Sequence, residues 1–97
     1  MDVVNFFLEA ARTIPEIQTV LAEDPSPEYA RIWVVISAPP FETSYRHRVY
    51  AAQLSAQQRD PETCVDFRLV NVQEIKGSIE DVLPPSRRVL FRRNKVA

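Results

Sequence analysis

Residues 31–54 decide the fold of this chain and read RIWVVISAPPFETSYRHRVYAAQL. The first part of the stretch, residues 31–37, is rich in β-branched and aromatic residues, which is typical of a central strand covered on both sides. Pro39 and Pro40 end that strand, because proline has no N–H group to donate to a neighbouring strand. Residues 44–59 then predict a helix that carries more apolar surface than one contact with a sheet requires.

This second helix has two apolar stripes. One stripe recurs at helical spacing and should pack on the sheet; it comprises Tyr45, Val49, Ala52 and Ala56. The other stripe lies on nearly the opposite side and comprises His47, Tyr50, Ala51 and Leu54. The C-terminal tail, a partner protein or second copy of the chain, or water alone can cover this second stripe, and the sequence leaves the three alternatives open.

The segments before and after this stretch supply the remaining elements. A helix is predicted from residue 2 to about residue 13, followed by a strand at residues 17–22. A short proline-rich loop joins this strand to the central one, so we expect the two to be antiparallel. In residues 64–72, Val65, Phe67 and Leu69 alternate with polar residues, which is the pattern of a half-buried strand.

The C-terminal part has a looser pattern. Residues 79–83 favour a short helical turn, and residues 89–91 favour an edge strand that flanking basic residues protect. We therefore predict a single-domain α+β two-layer sandwich of order α-β-β-α-β with a C-terminal edge strand and with the helices on one sheet face. Its predicted parts are a core domain at residues 1–74 and a tail at residues 75–97.

Charge is balanced overall but unevenly distributed. The chain has 12 Lys and Arg residues against 13 Asp and Glu residues, a net charge of −1, which gives no bulk attraction to nucleic acid or to anionic membranes. Residues 1–30 carry a net charge of −5, whereas residues 87–97 carry +5. Ends of opposite sign predict head-to-tail docking, within the fold or between subunits.

The basic tail has two interpretations. Its arginines are Arg87, Arg88, Arg92 and Arg93, with Phe91 between them. Such a segment can hold phosphates and stack one base, which makes nucleic-acid binding an alternative function. We favour a basic edge strand whose charge complements that of the acidic N-terminal third. Nucleic-acid binders usually present a basic domain surface, whereas this chain has a net charge of −1.

The residue types needed for several kinds of catalytic or cofactor site are missing. Gly77 is the only glycine, which excludes the glycine-rich loops that hold dinucleotides and phosphates. One cysteine, Cys64, and one histidine, His47, cannot form a Cys/His zinc cluster. As a general base, His47 would need an orienting carboxylate, for which Glu42 is the candidate in sequence. We predict that Arg46, His47 and Arg48 form a solvated basic turn.

Compartment follows from the same residues. A lone Cys64 allows no intrachain disulfide, so a reducing compartment is expected, with this cysteine as a small buried side chain. The apolar run at residues 3–8 is too short for a signal peptide, and no segment reaches the length of a membrane span. The expected location is the cytoplasm.

The order of elements resembles that of the small, antitoxin-type nucleotidyltransferases, in which the strand after the second helix carries a Val-Asp pair. Val65-Asp66-Phe67 stands at that place, and residues 89–93 are similar to the family's closing segment. The family's Gly-Ser and Asp-x-Asp motifs are replaced by AEDP at residues 22–25 and RIW at residues 31–33. The resemblance therefore implies a degenerate domain with a vestigial metal position at Asp66, because one carboxylate cannot hold two magnesium ions.

A second, weaker likeness is to BolA proteins, which share the order helix-strand-strand-helix-strand. Residues 35–37, Phe41, residues 46–48 and Tyr50 are similar to their central motif, although Phe41 lies nearer to Arg46 than in that family. The histidine that binds an iron–sulfur cluster in these proteins is absent from residues 64–72. No metal role is therefore transferred to His47.

From these observations we predict a cytoplasmic, non-catalytic protein-interaction module that uses no metal or cofactor. The expected partner is another protein or a second copy of the chain in a homodimer, and neither membrane nor nucleic acid is expected. The predicted contact surface comprises His47, Tyr50, Ala51 and Leu54 together with Arg87, Arg88, Arg92 and Arg93. The alternatives are a divergent nucleotide binder that relies on Asp66, and nucleic-acid binding through the tail.

Overall fold

The computed structural model describes residues 2–23, 29–39 and 41–93, with only the backbone at Asp2, Tyr29, Ala30 and Cys64. The predicted burial of the Cys64 side chain, the loop at residues 24–28 and Lys95 thus fall outside the described part. The helices are α1 (Asp2–Ala11) and α2 (Ser44–Arg59). The strands are β1 (Ile17–Glu23), β2 (Tyr29–Ile36), β3 (Cys64–Asn71) and β4 (Arg87–Arg92), with 3₁₀ turns at Val72–Glu74 and Ile79–Asp81. The predicted α+β class and element order are confirmed.

The four strands form one mixed sheet in the order β3-β2-β1-β4. Strand β1 is antiparallel to both β2 and β4, as the short connection between β1 and β2 predicts. Strand β2 is parallel to β3, and α2 makes the crossover that a parallel pair requires. The C-terminal strand lies at one edge of the sheet, as predicted, and β3 forms the other edge.

The main core lies between the inner face of the sheet and the two helices. Ile32, Val34 and Ile36 of β2 are at most 1% exposed, because alternate residues of a strand point to the same face. On α1, Phe7 is fully buried and its ring centroid lies 5.0 Å from that of Phe67 in β3. The predicted inner stripe of α2 completes this core, with Tyr45, Val49 and Ala56 buried and Ala52 partly buried.

The outer face of the sheet is covered only in part. Residues 78–83, which we call the strap, lie against this face and bury Leu83 between the sheet residues Leu21 and Val35. Trp33 is only partly buried beside them, so the predicted cover over both sides of the central strand is complete on the inner face alone. Gly77 precedes the strap with a φ of +104°, a conformation that glycine adopts readily and other residues rarely do.

The end of the described tail is held against the end of α1 by Arg93. Its guanidinium group donates hydrogen bonds to the carbonyl oxygens of Ile17 and Ile14, both at 2.9 Å, and of Ala11 at 3.2 Å. Of these oxygens only that of Ala11 belongs to α1, where a cation is favourable because the last carbonyl groups of a helix have no partner within the helix; Ile14 and Ile17 follow the helix. The basic end of the chain was predicted to dock within the fold or between subunits. At Arg93 it docks within the fold, and it binds backbone carbonyl oxygens there.

Candidate interaction surfaces

The residues of the outer side of α2, His47, Tyr50, Ala51 and Leu54, form a surface that we call the α2 stripe. All four are exposed, Leu54 by 60% and Tyr50 by 49%. The opposite side of the same helix is buried, since Tyr45 and Val49 are at most 1% exposed. The helix therefore presents large apolar side chains on a side that neither the sheet nor α1 covers.

The described part of the C-terminal tail does not cover this surface. Strand β4 pairs with β1 at the sheet edge opposite β3, and the strap lies on the outer face of the sheet. The sequence left three alternatives for what covers the α2 stripe. The first, the tail of the same chain, is thus excluded for residues 75–93. A partner protein, a second copy and water remain.

Phe41 is an exposed apolar residue that the two-stripe analysis of α2 did not include. It lies three residues before α2 and is 97% exposed. The available signal was a large aromatic residue between a proline pair and a helix start, where no periodicity assigns it to a buried face.

The basic residues of α2 differ in the contacts that their side chains make. The helix contains Arg46, Arg48, Arg59 and His47 but no acidic residue. Arg48 bonds to Glu16 at 2.8 Å, and the guanidinium group of Arg59 lies 3.6 Å from the ring centroid of Phe6. Arg46 has a buried Nε without a hydrogen-bond partner among the described residues, and a hydrogen bond with the Tyr45 side chain raises the pKa of its guanidinium group.

Glu42 caps α2. Its Oε1 accepts a hydrogen bond of 2.8 Å from the backbone N–H of Ser44, while Thr43 at the N-cap position makes no side-chain cap bond. The hydrogen bonds from Ser44 lower the pKa of the Glu42 carboxyl group, so the negative charge is maintained at the positive end of the helix. Glu42 is therefore engaged by the helix start, and the idea that it orients His47 gains no support.

Asp66 lies on the outer face of β3 between two arginines. Its Oδ2 is 3.1 Å from Nε of Arg31 and 3.0 Å from Nη2 of Arg68. Arg31 also bridges to Glu23 at 3.2 Å, which links three strands through charged groups. The alternation in β3 places Asp66 and Arg68 on the polar face, whereas only strand pairing brings Arg31 to Asp66. Within the described residues, no three His, Cys, Asp or Glu side chains form a group that could hold a metal ion.

The four predicted arginines of the tail do not act as one patch. Arg87 bonds to Glu80 and, at 2.9 Å, to the carbonyl oxygen of Pro84, while Arg93 is bound to the end of α1. Arg88 and Arg92 are exposed. These residues lie on the edge strand β4, a different element from the α2 stripe, so the two predicted parts of the contact surface are structurally separate groups.

Comparisons with known proteins add no identification. The chain matches no protein-family model, and no curated protein or solved structure is detectably similar to it. The resemblances to small nucleotidyltransferases and to BolA proteins therefore stay predictions. In the described ranges, neither helix combines the length and apolar character that crossing a bilayer requires.

Proposed function

We propose that this protein is a non-catalytic interaction module that binds a partner protein through the α2 stripe. The observation that carries the proposal is the exposure of Leu54 and Tyr50 on a helix whose other side is buried at Tyr45, Val49 and Ala56. Single exposed apolar residues are common on protein surfaces and require no explanation. Here Tyr50, Ala51 and Leu54 follow His47 at i+3, i+4 and i+7 along one helix, the spacing with which an amphipathic helix contacts a second helix.

The charge of α2 favours a partner of different sequence over a second α2. The helix has three arginines and no acidic residue, and among the described residues only Arg48 is paired with a carboxylate, so two copies packed against each other would bring like charges together. His47 lies within the stripe and is exposed, so it is available to acidic groups of a partner, and Arg46 adjoins it with a partly buried side chain. We therefore infer that the partner presents an amphipathic helix with acidic residues beside its apolar side.

A photo-crosslinking residue in place of Leu54 tests the proposal, with the same residue in place of Ser55 as the matched control. Both positions are exposed on α2, but Ser55 lies about 100° around the helix from Leu54. We expect, in extracts of the source cells, one discrete adduct at position 54 and not at position 55, with the crosslinked segment an acidic amphipathic helix.

Three outcomes would contradict parts of this proposal. Equal crosslinking at both positions, or none at either, would remove the α2 stripe as the contact surface. A crosslink between two copies of the chain, with a dimer mass by light scattering that Leu54→Asp reduces to a monomer, would replace the proposed partner by a second copy.

The two alternative functions keep their own tests. A nucleotide binder that relies on Asp66 requires magnesium-dependent nucleotide binding that Asp66→Asn abolishes. Nucleic-acid binding through the tail requires an affinity that falls steeply with salt. Deleting residues 87–97 would remove a strand of the sheet, so Arg88→Gln with Arg92→Gln is the better variant for that test.

A further inference from the structure

The outer face of the sheet contains an open groove beside the strap. Two adjoining cavities, of about 320 Å³ and about 490 Å³, share Thr19, Val35 and Ile79 in their walls. They therefore form one continuous depression in which the sheet is the floor and the strap is one wall. The groove lies on the opposite side of the sheet from the helices.

Strand pairing explains why these side chains meet. Thr19 in β1 is paired with Val35 in β2 and with Arg92 in β4, so the three lie in one row across the sheet. In the next row, Leu21 is paired with Val89 of β4. Because paired residues of neighbouring strands point to the same face, both rows belong to the outer face.

The floor of the groove beside the strap is apolar, while Gln18, Thr19 and Ser37 contribute polar side chains to its lining. Leu21 and Val35 are at most 4% exposed at its floor, and Ile79 and Leu83 of the strap form its wall. Val89 lies at its rim and is 49% exposed. Leu21, Val35 and Leu83 are already buried, so an apolar ligand in the groove would remove mainly the remaining exposed surface of Ile79 and Val89 from water, and that burial would drive binding.

The charged groups at the rim are not equivalent. Glu80 and Arg87 line the groove but bind each other, and Arg87 also donates to the carbonyl oxygen of Pro84. Arg92 lines the groove at the position paired with Thr19, and its side chain has no hydrogen-bond or ion-pair partner among the described residues. One uncompensated positive charge therefore adjoins an apolar floor.

We propose that this groove binds a small alkyl carboxylate, with the alkyl chain against Ile79 and Val89 and the carboxylate at Arg92. A guanidinium group forms two parallel hydrogen bonds with a carboxylate, which orients such a ligand as well as attracting it. The α2 stripe is not involved, so this inference is independent of the proposed protein partner.

Octanoate is a suitable probe, followed by titration calorimetry and by the fluorescence of Trp33, the only tryptophan of the chain. Trp33 packs against the cluster of Leu21, Val35 and Leu83, so a ligand in the groove should change its emission. We expect saturable binding with a dissociation constant on the order of a millimolar or tighter. Arg92→Gln should weaken it about tenfold.

The matched control is Arg88→Gln, which removes the same charge from the same strand at an exposed position that does not line the groove. This variant should bind octanoate like the natural protein, and octan-1-ol should bind the natural protein more weakly than octanoate. The proposal fails if octanoate shows no saturable binding or if the two variants weaken binding equally.

Discussion

Alternate residues of the same strands point to the two faces of the sheet. The two faces are covered by different parts of the chain. On the inner face, α1 and α2 bury Ile32, Val34 and Ile36 almost completely. On the outer face, a single strap covers Leu21 and Val35, and the rest consists of the groove and of charged residues.

Charged side chains fill the end of the outer face that the strap does not cover. Strand register places Arg87 beside Glu23, and Arg31 beside Asp66. Bridges from Arg31 to both acids give the row alternating charges across the sheet. A face that lacks a helical layer can therefore remain in contact with water, because its polar groups are paired with one another. We therefore expect the inner face to contribute most of the free energy of unfolding. The outer face and the α2 stripe remain available for binding.

The largest expected effect is that of Phe7→Ala. Phe7 is fully buried against Phe67, so its removal should lower the free energy of unfolding by about 3–5 kcal/mol through lost transfer energy and a cavity. Urea denaturation followed by circular dichroism measures the change. Phe41→Ala is the control with the same chemistry, and it should change stability by about 0.5 kcal/mol or less, because Phe41 is 97% exposed.

Val34→Ala and Val35→Ala compare the two faces directly, with the same substitution at adjacent positions of β2. Val34 packs under both helices, whereas Val35 contacts the strap cluster. We expect a loss of about 2 kcal/mol for Val34→Ala and about 1 kcal/mol for Val35→Ala, since the strap can relax into the space more easily than a helix. Equal losses in urea denaturation would show that the strap is packed as rigidly as the helical layer.

The charged row should contribute less. Arg31 and Asp66 are about one-third exposed, so a double-mutant cycle of Arg31→Gln and Asp66→Asn should give a coupling energy of about 0.5–1 kcal/mol. The coupling should decrease in high salt, because solvent-exposed charges are screened. A coupling energy above about 2 kcal/mol would mean that the charged row is shielded from water like a buried ion pair, and that it is not a solvent-exposed one.

The smallest effect on stability is expected on the α2 stripe. Leu54→Asp should leave the free energy of unfolding within about 0.5 kcal/mol of the natural value, because Leu54 is 60% exposed. Ala56→Asp, two residues further on the buried side, should prevent folding, since it buries a charge without a partner. Thermal unfolding measures both variants. Loss of folding in Leu54→Asp would show that the residue belongs to the core and would remove the basis of the proposed partner site.

Local pattern was sufficient for much of the fold. The spacing of Tyr45 and Val49 predicted the buried side of α2, and the alternation in β3 predicted which residues face the helices. The basic residues around Val89 predicted an edge strand. Each of these inferences depends on residues within one element, where the period of side-chain direction is fixed by backbone geometry.

The partners of individual side chains could not be predicted in the same way. Asp66 reaches Arg31 only because β2 and β3 are paired in parallel, and Arg93 reaches the end of α1 across 82 positions of sequence. The groove requires Thr19, Val35 and Arg92 from three strands in register. Such contacts depend on strand order and register, which no single segment encodes.

The class, the order of elements, the buried side of α2 and the lack of glycine-rich phosphate loops all follow from the amino-acid sequence. The pairing of β4 with β1, the position of the strap on the outer face and the exposure of the α2 stripe, which residues 75–93 leave uncovered, follow from the folded arrangement alone. Hydrophobic periodicity indicates which side of an element must be buried, whereas the element that covers it depends on contacts between distant segments.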